Sequence, residues 1–84
     1  MIGIALRLCE YKSHKLVRAG RIVGVTPRYL IVEQADGESG EVARDPVIDG
    51  RYAARIGDYY IVHDDGYASI ASAMAFLGGY SRVP

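Results

Sequence analysis

His63, Asp64 and Asp65 are the residues of this chain whose types and spacing come closest to a catalytic or metal-binding cluster. Imidazole and carboxylate groups bind zinc and exchange protons. Successive side chains of a strand alternate between its two faces, however, and the trio lies across a predicted turn, so the three groups converge poorly on one ion. His14 would have to join them from far away in the sequence. We therefore interpret the trio as a solvated hairpin tip and predict no metal and no cofactor.

Cys9 is the single cysteine of the chain, and beside His14 or His63 it would be a candidate nucleophile. Nothing around Cys9 resembles a strand-to-helix elbow or an oxyanion hole. The glycines at positions 20 and 24 lie within a predicted strand and lack the lysine and the helix that follow a phosphate-binding loop. We therefore predict that the protein is not an enzyme. A lone cysteine cannot form an intramolecular disulfide, and a chain without such disulfides is typical of a protein from a reducing cytoplasm.

Basic residues concentrate in the first third of the chain. Residues 1–30 carry six Lys or Arg and one Glu, residues 31–84 carry four Arg and nine Asp or Glu, and the whole chain is neutral. Lys and Arg bind phosphate groups and Tyr stacks on bases, so nucleic-acid binding is one hypothesis. In the alternative, the opposite charges pair across strands of one sheet. The candidate contact residues are Lys12, Lys15, Arg18, Arg21 and Arg28, together with Tyr11 and Tyr29.

Short strands must position most of these residues. Residues 16–44 are predicted to form a three-stranded meander, because apolar alternation is interrupted by Pro27 and by a glycine-containing loop at 35–40. Glycines at positions 20 and 24 inside a strand indicate a bulge or a close approach of the backbone. A bulge at Gly20 would turn Arg21 outward, whereas regular alternation would place Arg18 and Arg21 on opposite faces. Asp45 and Pro46 indicate the start of a short helix over residues 46–56.

Residues 57–84 are predicted to form a hairpin, a helix and a last short strand. Aromatic and β-branched residues at 59–62 favour a strand, and Asp64-Asp65-Gly66 favours a tight turn. From Ser72 the apolar period becomes helical, with Met74 and Leu77 three residues apart, and Gly78-Gly79 can end the helix in the left-handed conformation.

These elements predict a single α+β domain over residues 1–84. Its centre is a small, bent, barrel-like antiparallel sheet, made of the meander and the hairpin, with two short helices covering it. Residues 1–10 are a leader or an edge strand. Residues 1–8 are apolar apart from Arg7 and are too short to span a membrane, so no membrane partner is predicted.

Several segments together resemble a group of small proteins encoded by tailed bacteriophages and prophages. They are residues 11–15 (YKSHK), residues 17–22 (VRAGRI, through Val17, Ala19 and Ile22), residues 57–62 (GDYYIV), residues 65–69 (DGYAS) and residues 75–80 (AFLGGY). The group tends to begin its last helix with Ser-Pro and to carry an acidic residue inside it, whereas this chain has Ala71-Ser72 and Met74 there. The resemblance implies expression in the cytoplasm of a bacterial host and implies no defined activity.

We predict from these features a non-enzymatic phage or prophage accessory protein that binds a macromolecular partner, with host machinery as one target. The alternative is a nucleic-acid-binding module that uses the basic first third. A short chain with a small core, seven Tyr and oppositely charged halves also predicts a homodimer. The apolar pair Met74 and Leu77 is a candidate contact surface for that association.

Overall fold

Antiparallel strands make up most of this protein. The structure is a computed structural model that describes residues 6–12, 15–45 and 53–83. Within those ranges it contains seven strands and one helix. The strands are β1 (Cys9–Lys12), β2 (Leu16–Val25), β3 (Tyr29–Glu33), β4 (Ser39–Ala43), β5 (Tyr59–Val62), β6 (Ala68–Ala71) and β7 (Ser81–Arg82), and the helix is α1 (Ala73–Gly79).

The ten-residue strand β2 is the strand on which the sheet is built, because it pairs with three others. Its first half pairs with β1 on one edge and with β5 on the other, and its second half pairs with β3. The Ile22 N–H donates to the Asp58 carbonyl and the Ile22 carbonyl accepts from the Gly57 N–H, both on the β5 edge. β3 therefore lies on the same edge of β2 as β1, and the two strands diverge close to Gly20.

The remaining pairings extend the sheet from this centre. β6 pairs with β5, β4 with β3, and β7 with β1, all antiparallel. The predicted meander is thus β2–β3–β4, and the predicted hairpin is β5–β6, whose turn contains Gly66 at φ +88°. β1 reaches Lys12 and lies between β2 and β7, so it is not an edge strand within the described part of the chain.

The bulge of β2 does not lie at the predicted position. Residues 18–21 pair with β5 in unbroken register, and the irregularity falls between Ile22 and Gly24, where Val23 is the extra residue opposite β3. Gly20 has the other predicted role, which is close approach of the backbone. A methyl group there would meet the Glu33 carbonyl oxygen, lie 2.6 Å from Val32 Cγ1 and lie 2.9 Å from Leu8 Cδ2. No side chain fits where β1 and β3 diverge from β2.

Alternation along the strands gives the sheet two apolar faces, each with its own cluster. On β5, Tyr59 and Ile61 point to one face, and Tyr60 and Val62 point to the other. The meander-side cluster has the buried members Leu8, Ile22, Leu30, Val32 and Ala54. The helix-side cluster has the buried members Val17, Ala19, Tyr59, Ile61 and Phe76.

Phe76 is the residue by which α1 is anchored to the sheet. Its side chain is 1% exposed, and its ring centroid lies 4.7 Å from that of Tyr11, 4.7 Å from that of Tyr59 and 4.9 Å from that of Tyr80. Aromatic pairs at such separations contribute about 0.5–1.5 kcal/mol each beyond the burial of their area. With no Trp in the chain, Tyr supplies the large rings of this cluster.

The prediction of two helices is not supported by the structure, since the described residues contain one. Most of the predicted 46–56 helix, residues 46–52, lies outside the described residues. The described part, 53–56, is not helical. The Asp58 carboxylate accepts the Arg55 N–H at 2.9 Å, and the Gly57 N–H donates to Ile22. Around Gly57, a backbone hydrogen bond to β2 thus replaces the hydrogen bonds of a helix.

The last helix begins as predicted and ends differently. Ser72 caps it, since its hydroxyl accepts the Ala75 N–H at 3.2 Å. Gly78 and Gly79 belong to the helix, and the cap residue is Tyr80, which is extended and donates its N–H to the Phe76 carbonyl. An extended Tyr80 leads the chain directly into β7, so a left-handed glycine cap is not used.

We expect Gly20→Ala to lower the free energy of unfolding by about 1–3 kcal/mol, because the added methyl overpacks a junction lined by a backbone carbonyl. The matched control is Gly78→Ala, where the added methyl meets open space. That change should raise the free energy of unfolding by about 0.5–1 kcal/mol through helix propensity. Urea denaturation of both variants measures the difference. Equal stability of the Gly20→Ala and Gly78→Ala variants would contradict the assignment of Gly20 as a position where strands approach closely.

We expect Phe76→Ala to lower the free energy of unfolding by about 3–5 kcal/mol, since a buried ring is removed from three aromatic contacts. The control is Met74→Ala on the same helix, at a side chain that is 87% exposed, which should change stability by less than about 0.5 kcal/mol in the monomer. Denaturation is followed by tyrosine fluorescence and circular dichroism. A Phe76→Ala variant as stable as Met74→Ala would show that α1 does not close the core.

Candidate functional site

The structure divides the predicted basic residues between the two faces of the sheet. Arg18 lies opposite Val62, and Arg21 lies opposite Tyr59. Val62 belongs to the meander-side face and Tyr59 to the helix-side face, so the two arginines point in opposite directions. Arg18 also lies opposite Glu10 of β1. A single basic surface containing both arginines is therefore not formed.

The other predicted basic residues are spread along the length of β2. Lys15 precedes this strand and Arg28 follows it, in the turn to β3, so they are about 30 Å apart along ten residues of strand. Lys12 lies opposite Leu16 at the first end, and Tyr29, 41% exposed, lies at the far end. The side chains of Lys12, Lys15, Arg28 and Tyr29 are exposed, but they do not form one contiguous surface.

Tyr11 is a core contact rather than a free stacking platform. Its ring packs edge-on against Phe76 and, at 6.1 Å between centroids, against Tyr59. Burial is the largest cause that raises the pKa of the Tyr11 phenol, followed by the neighbouring Tyr59 and Cys9, while the positive charge of Arg82 acts in the opposite direction. Tyr11 is therefore a neutral hydroxyl at physiological pH.

The two predicted apolar contact residues lie together on the outer surface of α1. Met74 is 87% exposed and Leu77 is 54% exposed. Because they are three residues apart, they lie on one side of the helix, and Phe76 points to the sheet. None of the seven residues of α1 is charged. We call the outer surface formed by Met74, Ala75, Leu77 and Gly78 the α1 surface.

A cleft with a volume of about 180 Å³ opens on the helix-side face, where β1 and β3 diverge from β2. Its lining includes three small residues, Cys9, Ala19 and Gly20. Because their side chains are small, the space beside the strand junction stays open. Tyr11 and Tyr59 also line the cleft. The turn between β3 and β4 supplies the rest of the lining with residues Gln34, Ala35 and Gly37.

Three charged side chains line the cleft. Arg82 lies opposite Tyr11 in the β1–β7 pairing, Arg21 lies opposite Tyr59, and Glu33 ends β3. Arg21 Nε is 3.9 Å from Glu33 Oε1, and both side chains are about half exposed. At that separation the pair is an ion pair without a hydrogen bond. Within the described part of the chain, Arg82 makes no ion pair.

Arg7 and Gln34 hold the β3–β4 turn in place at the edge of this cleft. Gln34 is 8% exposed, and its Oε1 accepts the Arg7 N–H at 2.9 Å. The Arg7 guanidinium pairs with the Asp36 carboxylate. The hydrogen bond from Arg7 is the largest cause that lowers the pKa of Asp36, and the Glu38 N–H acts in the same direction. The turn therefore keeps its shape at neutral pH.

Sequence reasoning did not find this cleft. It selected Arg21 and Tyr11 but as parts of a nucleic-acid surface, and it missed Arg82 and Glu33. Arg82 reaches the cleft only because β7 pairs with β1, which brings it opposite Tyr11, 71 positions earlier in the sequence. No local sequence pattern predicts the pairing of β7 with β1. The small residues at positions 9 and 19 would have been a signal once their cross-strand register was known.

The His63 region contains local structural contacts. His63 Nε2 lies 3.0 Å from the Ser69 hydroxyl, and its ring packs against Tyr67 at 5.5 Å. Asp65 Oδ1 accepts the Tyr67 N–H at 2.9 Å, which closes the turn. Over residues 6–12, 15–45 and 53–83, no group of three His, Cys, Asp or Glu side chains is placed to hold a metal ion. His14 lies outside the described residues.

Comparison of the chain with protein families, curated proteins and solved structures gives no match. Among the described residues there is no helix of the length and apolar character needed to cross a membrane.

We expect EDTA to leave the melting temperature unchanged and added zinc not to raise it, because His63 is bonded to Ser69 and the Asp65 carboxylate closes its own turn. Differential scanning fluorimetry with and without chelator measures this. A drop of several degrees in EDTA that zinc restores would identify a metal site at the hairpin tip. His63→Ala serves as the control that locates such an effect.

Proposed function

We propose that this protein acts by binding another macromolecule through the α1 surface, and that it is not an enzyme. The observation that carries the proposal is the exposure of Met74 and Leu77 on a helix that the core holds firmly. Covering a Met or Leu side chain contributes about 1.5–3 kcal/mol each, so burial of both would be a substantial part of a binding free energy.

The anchoring of α1 supports the use of its outer surface for binding. Phe76 packs among three tyrosine rings, so the helix is already ordered before a partner arrives. A partner then need not supply the entropy cost of forming the helix. Met is among the side chains that are enriched in the cores of protein interfaces.

The partner that this surface fits best is a second copy of the chain. The α1 surface is uncharged over its whole length, so a two-fold contact of the surface with itself brings no like charges together. An added Cβ at Gly78 or Gly79 would meet nothing within 4 Å, so the end of the helix has room for close approach of another backbone. A charged partner surface would instead lose its hydration against this helix.

The resemblance to small phage and prophage proteins adds a context to this proposal. In that context the protein is an accessory protein of the bacterial cytoplasm, and a host protein is a further partner for the dimer. Nucleic-acid binding by the basic first third is the weaker alternative, because Arg18 and Arg21 lie on opposite faces and Tyr11 is packed in the core.

We expect the protein to be a dimer at tens of micromolar, in both low and high salt, since apolar association survives screening of charges. Multi-angle light scattering after size-exclusion chromatography gives the mass. The double substitution Met74→Glu and Leu77→Glu should give a monomer, because four carboxylates would meet across the two-fold axis.

Leu16→Glu is the control, since it places a carboxylate on an exposed apolar residue of β2, away from α1. That variant should remain a dimer. A wild-type monomer in both salt conditions would refute self-association. A dimer that the double substitution leaves intact would refute the α1 surface as its interface.

A further inference from the structure

We propose that the cleft between β1 and β3 binds a small phosphate monoester, with Arg21 and Arg82 as the groups that hold its phosphate. Two guanidinium groups and one carboxylate line the cleft, so it carries an excess of positive charge although the chain as a whole is neutral. This inference is independent of the α1 surface and does not require a dimer.

The arginines are available to a ligand. Arg82 makes no ion pair within the described residues, and Arg21 has Glu33 only at 3.9 Å, beyond hydrogen-bond distance. A guanidinium presents a planar set of N–H donors that matches two oxygens of a phosphate group. Each arginine is held by its strand opposite a packed tyrosine, Arg82 beside Tyr11 and Arg21 beside Tyr59, so a ligand does not have to order the backbone.

The uncharged lining suits the same ligand. Tyr11 remains a neutral hydroxyl and can donate to a phosphate oxygen. Glu33, whose Oε1 lies 3.9 Å from Arg21 Nε, can accept a hydrogen bond from a hydroxyl of the ligand beside the phosphate, which favours a monoester that carries one. Cys9 and Ala19 leave the space open.

The volume limits the size of the ligand. About 180 Å³ corresponds to roughly six water molecules at about 30 Å³ each, and it is below the 300–1,000 Å³ that is usual for drug-sized ligands. A phosphate with a few attached atoms fits, and a whole nucleotide does not. A phosphodiester chain would have to pass through the cleft, and the β3–β4 turn stands at its edge.

Cys9 allows a direct test, because it lines the cleft, is partly exposed and is the single thiol of the chain. The rate of its alkylation by N-ethylmaleimide, an uncharged reagent, is measured against increasing inorganic phosphate and glycerol phosphate at constant ionic strength. We expect both to slow the reaction saturably, with glycerol phosphate acting at the lower concentration. Arg21→Gln and Arg82→Gln should each raise the half-saturating concentration about tenfold or more.

Arg18→Gln is the matched control, since it removes the same charge from the same strand on the opposite face, and it should behave as wild type. Circular dichroism verifies that all three variants fold. The proposal is overturned if chloride slows alkylation as much as phosphate does, or if Arg18→Gln weakens protection as much as the other two. Protection by a DNA oligonucleotide without terminal phosphates, at lower concentration than glycerol phosphate and with the same dependence on Arg21 and Arg82, would also overturn it in favour of a phosphodiester ligand.

Discussion

The close approach of three strands at Gly20 is the constraint on which the rest of this structure depends. β1 and β3 share one edge of β2, and both cannot continue along it. They diverge at Gly20, which has no side chain, against the Glu33 backbone and the Val32 and Leu8 side chains. This divergence lets β3 pack over one face of the sheet, while α1 packs on the opposite face.

The two faces that result are built from different residues. The meander-side face is aliphatic, with Ile22, Leu30 and Val32 at its centre. The helix-side face is aromatic, because one Phe on α1 inserts among tyrosines. A seven-residue helix has little intrinsic stability, so this insertion is what holds it. Once Phe76 is buried, the opposite side of α1 must be exposed, which is why Met74 and Leu77 lie at the surface.

The cleft is a consequence of the same divergence. Where β1 leaves β3, the cleft is lined by small residues of β1 and β2, by two tyrosine rings and by the arginines of β2 and β7. The cleft lies at the strand junction and the α1 surface on the outer side of the helix, and the rings of Tyr11 and Tyr59 both line the cleft and hold Phe76 of α1. A protein of 84 residues can in this way present an apolar contact surface and a charged concave site that share two tyrosines.

Local sequence was sufficient for the features that depend on local physics. Turn residues around Gly66 predicted the hairpin, and the change of apolar period at Ser72 predicted the helix start. The period-2 alternation of β2 predicted opposite directions for Arg18 and Arg21 in the absence of a bulge at Gly20. Tertiary structure alone decided the rest: the bulge at Val23 rather than Gly20, the continuation of α1 through Gly79, and the meeting of Arg82 with Cys9 and Arg21. The meeting of Arg82 with Cys9 and Arg21 depends on the register between strands far apart in the chain, and register is set by the packing of whole faces, which no short segment contains.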